Sequence, residues 1–222
     1  VSMLSKVNDF PVAPFVLVLG GAKVSDKIGV VEHLLRKVAT ICIGGGMAFT
    51  FLAARGYGTG RSLLEEDKVS FAREMMERAK SNGVEILLPE DILLAQSFDS
   101  DTYRVAGAAE IKENEMGLDI GPATVHLFEK RVRSAKTVLW NGPMGVFERA
   151  AYAGGTRGVG EALKECTISG GTTVIGGGDT AAAAKTLGFA SDVSHVSTGG
   201  GASLEFFEGK LLPGIEPLLL DK

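Results

Sequence analysis

The sequence has few of the residues that build metal centres and disulfide scaffolds. Its 222 residues include two cysteines and three histidines. Cys42 and Cys166 stand far apart among small or apolar neighbours, which predicts buried free thiols in a reducing compartment. His33, His126 and His195 lack the spacing of a metal site, so each is expected to be structural.

Long hydrophobic runs and an excess of positive charge are also missing. No apolar run has the length that spans a bilayer, and residues 1–10 do not resemble a signal peptide. The formal net charge is -4, which disfavours nucleic-acid and membrane-surface binding because both need a basic field. A basic cluster over 130–136 is expected to be a solvated helix face. We therefore expect a cytoplasmic monomer with no nucleic-acid or membrane partner.

Two common nucleotide motifs are absent or incomplete. No glycine-lysine-serine or glycine-lysine-threonine tripeptide occurs, so there is no Walker A loop. Gly176, Gly178 and Ala181 fit the loose dinucleotide fingerprint. The acidic residue expected about 20 positions further on is not well placed, because Asp192 is too close. A dinucleotide-binding module stays open as an alternative.

Glycine is abundant, with 30 copies, and 11 of them stand in four clusters at 20–21, 44–46, 176–178 and 199–201. Three of these clusters follow short apolar runs, over 15–19, 40–43 and 172–175, and precede helix-like stretches, over 24–38, through 49–52 and over 181–185. Further helices are predicted over 70–80, from Pro122 and over 155–165, and further strands over 84–88, 92–95 and 137–140. Continuous apolar strands alternating with helices predict a single α/β domain with a doubly wound (Rossmann-like) parallel sheet and helices on both faces.

Glycine-rich turns at strand ends suit a bound anion. They let backbone N–H groups approach a ligand closely, and the helix that follows carries a partial positive charge at its N-terminus. A single such turn is equally well explained by tight-turn geometry. Several turns at one edge of a parallel sheet favour an anion-binding crevice.

Charged residues beside two of the clusters refine this expectation. Lys23 and Lys27 stand four residues apart at the start of a predicted helix, where cations are unfavourable unless an anion binds there. Asp179 is either a magnesium ligand or an ordinary N-cap, and its position alone does not separate the two. The residues by themselves predict an α/β protein that binds a phosphate-bearing ligand, with Mg²⁺.

Five segments carry a more specific resemblance. The segments GGAKVSDK (20–27), GGGMAFTFL (44–52), WNGPMGVFE (140–148), GGGDT (176–180) and SHVSTGGGAS (194–203) resemble, in family order, signature sequences of phosphoglycerate kinases. The resemblance covers essentially the whole chain. It implies the C-terminal, nucleotide-binding half of an enzyme that moves a phosphoryl group from 1,3-bisphosphoglycerate to ADP, with Mg²⁺.

The resemblance also implies a role for each site residue. Adenine is expected against Gly45, Gly46, Leu63, Phe98, Gly117, Leu118 and Val146, with Glu148 on the ribose hydroxyls. Asn141, Lys27 and Thr180 are expected at the nucleotide phosphates, and Asp179 at Mg²⁺. Lys23 and the backbone N–H groups of Gly177, Gly178, Gly200 and Gly201 are expected to stabilise the transferring phosphoryl group.

By the same resemblance the chain divides into three parts. Residues 1–13 are expected to end an interdomain helix and its connector, 14–209 to form the nucleotide-binding domain, and 210–222 to be a tail that docks on an N-terminal phosphoglycerate-binding domain. That domain is absent from these 222 residues. We expect ADP and ATP binding with little or no activity, and a folded remnant without ligand affinity stays open as a further alternative.

Overall fold

The structure, a computed structural model, describes residues 2–199 and 201–210. The helices are α1 (Ser2–Asp9), α2 (Ile28–Leu34), α3 (Ala48–Ala54), α4 (Val69–Ser81), α5 (Pro122–Ser134), α6 (Gly154–Ile168), α7 (Gly178–Leu187) and α8 (Gly201–Phe207). The strands are β1 (Phe15–Leu19), β2 (Thr40–Ile43), β3 (Glu85–Leu87), β4 (Asp91–Ala95), β5 (Arg104–Gly107), β6 (Met116–Ile120), β7 (Thr137–Asn141), β8 (Thr172–Gly176) and β9 (His195–Ser197).

A six-stranded sheet in the order β3-β2-β1-β7-β8-β9 forms the centre of the fold. Every neighbouring pair in it is parallel. The chain winds outward from β1 through β2 to β3, and then outward on the other side from β7 through β8 to β9. This is the predicted doubly wound arrangement, and its strand order reverses between β1 and β7.

Both faces of this sheet are covered, which explains why the central strand β1 is apolar throughout. In β1, Phe15, Leu17 and Leu19 belong to one core with α2, α3 and α4, while Val16 and Val18 belong to a second core with α5 and α6. Successive side chains of a strand point to opposite faces, so a strand buried on both sides has no polar alternation.

A second, three-stranded antiparallel sheet in the order β5-β4-β6 was not predicted from the sequence. Residues 92–95 were predicted as a strand and lie in β4, but β5 and β6 were not predicted. Leu93 and Ala95 of β4 pack with Leu118 and Tyr152 in a small separate core. This sheet carries one wall of the site described below.

The predicted helix over 24–38 is wrong at both ends. The structure has α2 only from Ile28 to Leu34, preceded by a turn that brings Lys27 to its N-cap. Lys23 and Lys27 therefore do not share a face at the start of one helix. Residues 21–26 lie outside the helix, and their contacts with distant residues are described below.

The expectations for the two cysteines and for the basic cluster are confirmed. Cys42 and Cys166 are buried and free, and burial raises the pKa of both thiols. In the basic cluster, Arg131 pairs with Glu85 and Arg133 with Glu165 at the surface. No helix within the described residues is long and apolar enough to cross a membrane.

Candidate functional site

The loops that follow β1, β2 and β7 are joined to one another at one edge of the main sheet. The N–H groups of Gly20 and Gly21 donate to the carbonyls of Asn141 and Pro143, both at 2.9 Å. Gly45 N donates to Met144 O at 3.0 Å. The edge is the C-terminal one, and it includes the point between β1 and β7 where open α/β sheets bind ligands.

Glycine is required where these loops meet. Gly45 has φ +65°, and a Cβ built there would lie 2.6 Å from the backbone nitrogen of Gly21. Gly142 has φ +97°, and its Cβ would lie 2.2 Å from backbone atoms of Gly20. Any larger residue would push the loops apart.

A first cavity of about 420 Å³ lies between these loops and the second sheet. Its lining includes every residue predicted for adenine and ribose: Gly45, Gly46, Leu63, Phe98, Gly117, Leu118, Val146 and Glu148. Gly117 leaves room for an aromatic ring, since a Cβ there would lie 2.1 Å from Phe49 Cζ. The walls are mostly apolar, which suits a flat heterocycle.

A second cavity of about 480 Å³ adjoins the first, with Gly21, Ala22, Pro143 and Asp179 lining both. Its lining includes the residues predicted for phosphate and metal: Lys23, Lys27, Asn141, Gly177, Gly178, Asp179, Thr180 and Gly201. Of the predicted site residues, Gly200 lies outside the described residues. The structure therefore brings the predicted set together, although the role of each member stays a prediction.

Lys27 gives the strongest indication of which ligand the second cavity binds. It is only 8% exposed, and desolvation lowers the pKa of its ammonium despite the nearby Asp26 and Asp179. Lys27 Nζ donates to Asn141 Oδ1, and within the described chain no carboxylate lies at ion-pair distance from it. A buried cation without a counter-ion is unfavourable unless an anion binds beside it.

Asn141 adds a second unsatisfied group at the same place. Its Oδ1 accepts from Lys27 Nζ, while its buried Nδ2 has no hydrogen-bond partner within the described residues. Nδ2 lies against Gly177, 3.0 Å from where a Cβ of that residue would stand. Buried donors without partners are rare, and they mark places where a ligand or water supplies the acceptor.

The N-terminus of α7 completes the second cavity. Gly177 is the N-cap residue with φ 95° and no side-chain cap, so the first N–H groups of this ten-residue helix have no partner from a capping side chain. Asp179 is exposed in the first turn. It is therefore not the N-cap residue, and its role at Mg²⁺ stays a prediction. Thr180 Oγ1 accepts from Gly142 N at 2.7 Å, which ties the helix to the loop after β7.

The donor set suits Mg²⁺ held jointly with a phosphate ligand. Within the described residues no group of three or more His, Cys, Asp or Glu side chains is placed to hold a metal by itself. Mg²⁺ is usually bound by one or two carboxylates together with phosphate oxygens and water. Asp179, at the boundary of the two cavities, supplies one such carboxylate.

Two further residues at the site were not found from the sequence. Asp119, in β6, lines the first cavity and is 4% exposed. Its carboxylate accepts from Gly155 N at 2.8 Å and Ile120 N at 2.9 Å, yet burial dominates and raises its pKa to about 7. Glu65 accepts from the backbone of Val24 across 41 positions of sequence. Neither belongs to a local motif, so no sequence signal was available.

Comparisons with known proteins agree with these observations. A family model described as phosphoglycerate kinase matches residues 1–210. The phosphoglycerate kinase of Clostridium novyi (strain NT) is 58% identical over 216 residues, which cover 97% of this chain and 54% of that protein. That of Chloroherpeton thalassium (strain ATCC 35110 / GB-78) is 54% identical, with 97% of this chain and 54% of that protein covered.

Solved structures show the same relationship. The phosphoglycerate kinase from Coxiella burnetii matches with a TM-score of 0.92 at 41% identity, covering 98% of this chain and 56% of that one. The enzyme from Pyrococcus horikoshii OT3 matches with a TM-score of 0.82 at 30% identity, covering 99% and 55%. The chain spans about half the length of the curated relatives it matches. On its sequence, its fold and its site residues, the chain belongs to the phosphoglycerate kinase family.

Proposed function

We propose that the chain binds ADP and ATP as magnesium complexes and serves as the nucleotide half of a phosphoglycerate kinase. The buried Lys27, hydrogen-bonded to Asn141 but with no carboxylate at ion-pair distance within the described residues, carries this proposal. A cation desolvated in this way, beside a helix N-terminus, fits a polyphosphate. The adjoining, mostly apolar cavity then suits the base, because the two cavities share part of their lining.

The two cavities divide the nucleotide between them. In this proposal adenine occupies the first cavity and Glu148, exposed at its mouth, accepts from the ribose hydroxyls. Lys27, Asn141 Nδ2 and the hydroxyl of Thr180 face the phosphates, and Asp179 would hold Mg²⁺, which would offset the negative charge of the phosphates. Thr180 Oγ1 already accepts from Gly142, so its proton stays available for donation.

The proposed reaction needs no nucleophile from the protein. A terminal phosphate oxygen of ADP attacks the acyl phosphate of 1,3-bisphosphoglycerate, and the bond from phosphorus to the carboxylate oxygen breaks. The products are ATP and 3-phosphoglycerate. Catalysis of such a transfer rests on in-line positioning and on neutralising the charge of the group in flight. Lys23 and the N–H groups of Gly177, Gly178, Gly200 and Gly201 are assigned to that second task.

Calorimetric titration of the chain tests the proposed binding. We expect saturable binding of Mg-ADP and Mg-ATP and none of NAD at the same concentrations. Binding of NAD in place of ADP would support the dinucleotide module, whose fingerprint includes Gly176, Gly178 and Ala181. No saturable binding of any nucleotide up to millimolar concentration would overturn the proposal and leave a folded remnant.

A coupled enzyme assay tests the division of labour between halves. We expect turnover from the chain alone to be near zero, because holding both substrates in line is worth roughly 7–11 kcal/mol. Adding a separately expressed N-terminal half of a relative is expected to restore activity. Turnover comparable to an intact enzyme from the chain alone would contradict this part of the proposal. The proposed function would make the chain part of a glycolytic enzyme of the cytoplasm.

A further inference from the structure

We propose that Glu65 is a positioning residue that holds the lysine turn, residues 20–27, in its binding conformation and couples it to the base cavity. The inference rests on the proposed nucleotide binding and goes beyond it. It concerns a residue that lines neither cavity among the described residues and belongs to no signature segment. Its effect is therefore expected through the lysines and not through contact with the ligand.

The carboxylate of Glu65 binds the lysine turn at three points. Oε2 accepts from the backbone N–H groups of Val24 at 2.5 Å and Ser25 at 3.3 Å, and Oε1 accepts from the Ser25 hydroxyl at 2.6 Å. Val24 directly follows Lys23, so its peptide plane fixes the Cα of that lysine. Hydrogen bonds from backbone N–H groups to a carboxylate are among the stronger ones in proteins.

The turn depends on these contacts because it has little regular structure of its own. α2 starts only at Ile28, and inside the turn the Lys27 N–H donates to Val24 O at 2.9 Å. The residue that Glu65 binds thus also anchors the backbone of the buried lysine. Both lysines are held through Val24, one on each side of it.

Glu65 is itself fixed by the base cavity. Its backbone N–H donates to Thr50 Oγ1 of α3 at 3.2 Å. Three residues earlier, Ser62 Oγ accepts from Gly117 N at 2.9 Å, and Gly117 lines the base cavity. Leu63, in the same segment, lies where a Cβ on Gly46 would touch it at 2.7 Å. Residues 62–65 therefore form a short bridge from the base cavity to the lysine turn.

This arrangement predicts a loss confined to the phosphate part of the nucleotide. The test titrates the 222-residue chain and its Glu65→Ala, Glu65→Gln and Glu66→Ala variants with Mg-ADP and with adenosine. We expect Glu65→Ala to lower the affinity for Mg-ADP about tenfold or more and to leave the affinity for adenosine unchanged. The Mg-ADP affinity of Glu65→Gln is expected to lie between those of the unmodified chain and Glu65→Ala, because the glutamine amide oxygen keeps one acceptor. The exposed neighbour Glu66 is the matched control, and its variant is expected to behave as the unmodified chain.

A second measurement separates positioning from direct contact. In a Lys23→Ala, Lys27→Ala background, Glu65→Ala is expected to cause no further loss of Mg-ADP affinity, since residues acting through one another are not additive. Equal weakening of ADP and adenosine, unchanged ADP affinity, or full additivity with the lysines would overturn the inference alone. Absence of ADP binding in the unmodified chain would overturn the proposed function and this inference with it. If Glu65→Ala does not fold, Glu65→Gln decides by the same comparison.

Discussion

Replacing the buried Asp119 with asparagine should change how the stability of the protein depends on pH. Its carboxylate is in contact with the backbone of two glycines: a Cβ on Gly145 or Gly155 would lie 2.3 Å from Oδ1. Within the described residues no cation lies at ion-pair distance from it. Two backbone N–H donors offset only part of the cost of burying the charge, so the pKa rises to about 7.

The size and sign of the effect follow from this pKa. In the unfolded chain the carboxyl loses its proton near pH 3.8, and in the folded protein near pH 7. Between these values the unfolded state binds fewer protons, so the free energy of unfolding falls as pH rises and then levels off above about pH 7. At about 1.4 kcal/mol per pKa unit the whole loss is roughly 4 kcal/mol, of which about 2–3 kcal/mol falls between pH 5 and pH 8.

Denaturant unfolding of the unmodified chain and of Asp119→Asn at pH 5 and pH 8 measures this loss. Asparagine cannot ionise, so the unfolding free energy of the variant should lack the pH dependence that Asp119 causes. Subtracting the unfolding free energies of the two proteins cancels the effect of the other titrating groups. The variant also exchanges an acceptor oxygen for an amide donor, which lowers its stability by about 1–3 kcal/mol at both pH values. The difference in free energy of unfolding between the unmodified chain and the variant should therefore be smaller at pH 8 than at pH 5, or change sign. A gap that is the same at both pH values would refute the reasoning.

The remaining predictions concern the charged groups of the second cavity. Lys27→Ala should raise the dissociation constant for Mg-ADP about tenfold or more in a direct titration, because it removes the buried cation; an unchanged constant would contradict its assignment. In enzyme reconstituted with an N-terminal half, Lys23→Ala should lower kcat far more than it raises KM, since its charge is assigned to the group in flight; a pure KM effect would count against that role. Asp179→Ala should abolish the stimulation of ADP binding by Mg²⁺, measured with and without the metal, and retained stimulation would show that another group holds the ion.

The main sheet and most of the site were accessible from the sequence because their signals are local. A strand buried on both faces lacks polar alternation, as in β1 and the centre of β7, and the turn that follows it needs glycine for close backbone approach. Strand order then brings these turns together, since parallel strands end at the same edge. Lys27 and Asp179 follow such ends by eight and three residues, which favoured one anion-binding crevice, whereas Asn141 and the base-cavity residues were expected only from the family resemblance.

Only the tertiary structure decided what depends on contacts between distant segments. The second sheet pairs three short strands that lack a continuous apolar run, and its β6 supplies Gly117 and Asp119. The turn before α2 is tied to Glu65, 41 positions away from Val24, through the Val24 and Ser25 N–H groups. Periodicity within 21–28 contains no information about that partner. The sequence identified many of the residues that line the two cavities, but Asp119 and the hydrogen bonds between distant segments appeared only in the tertiary structure.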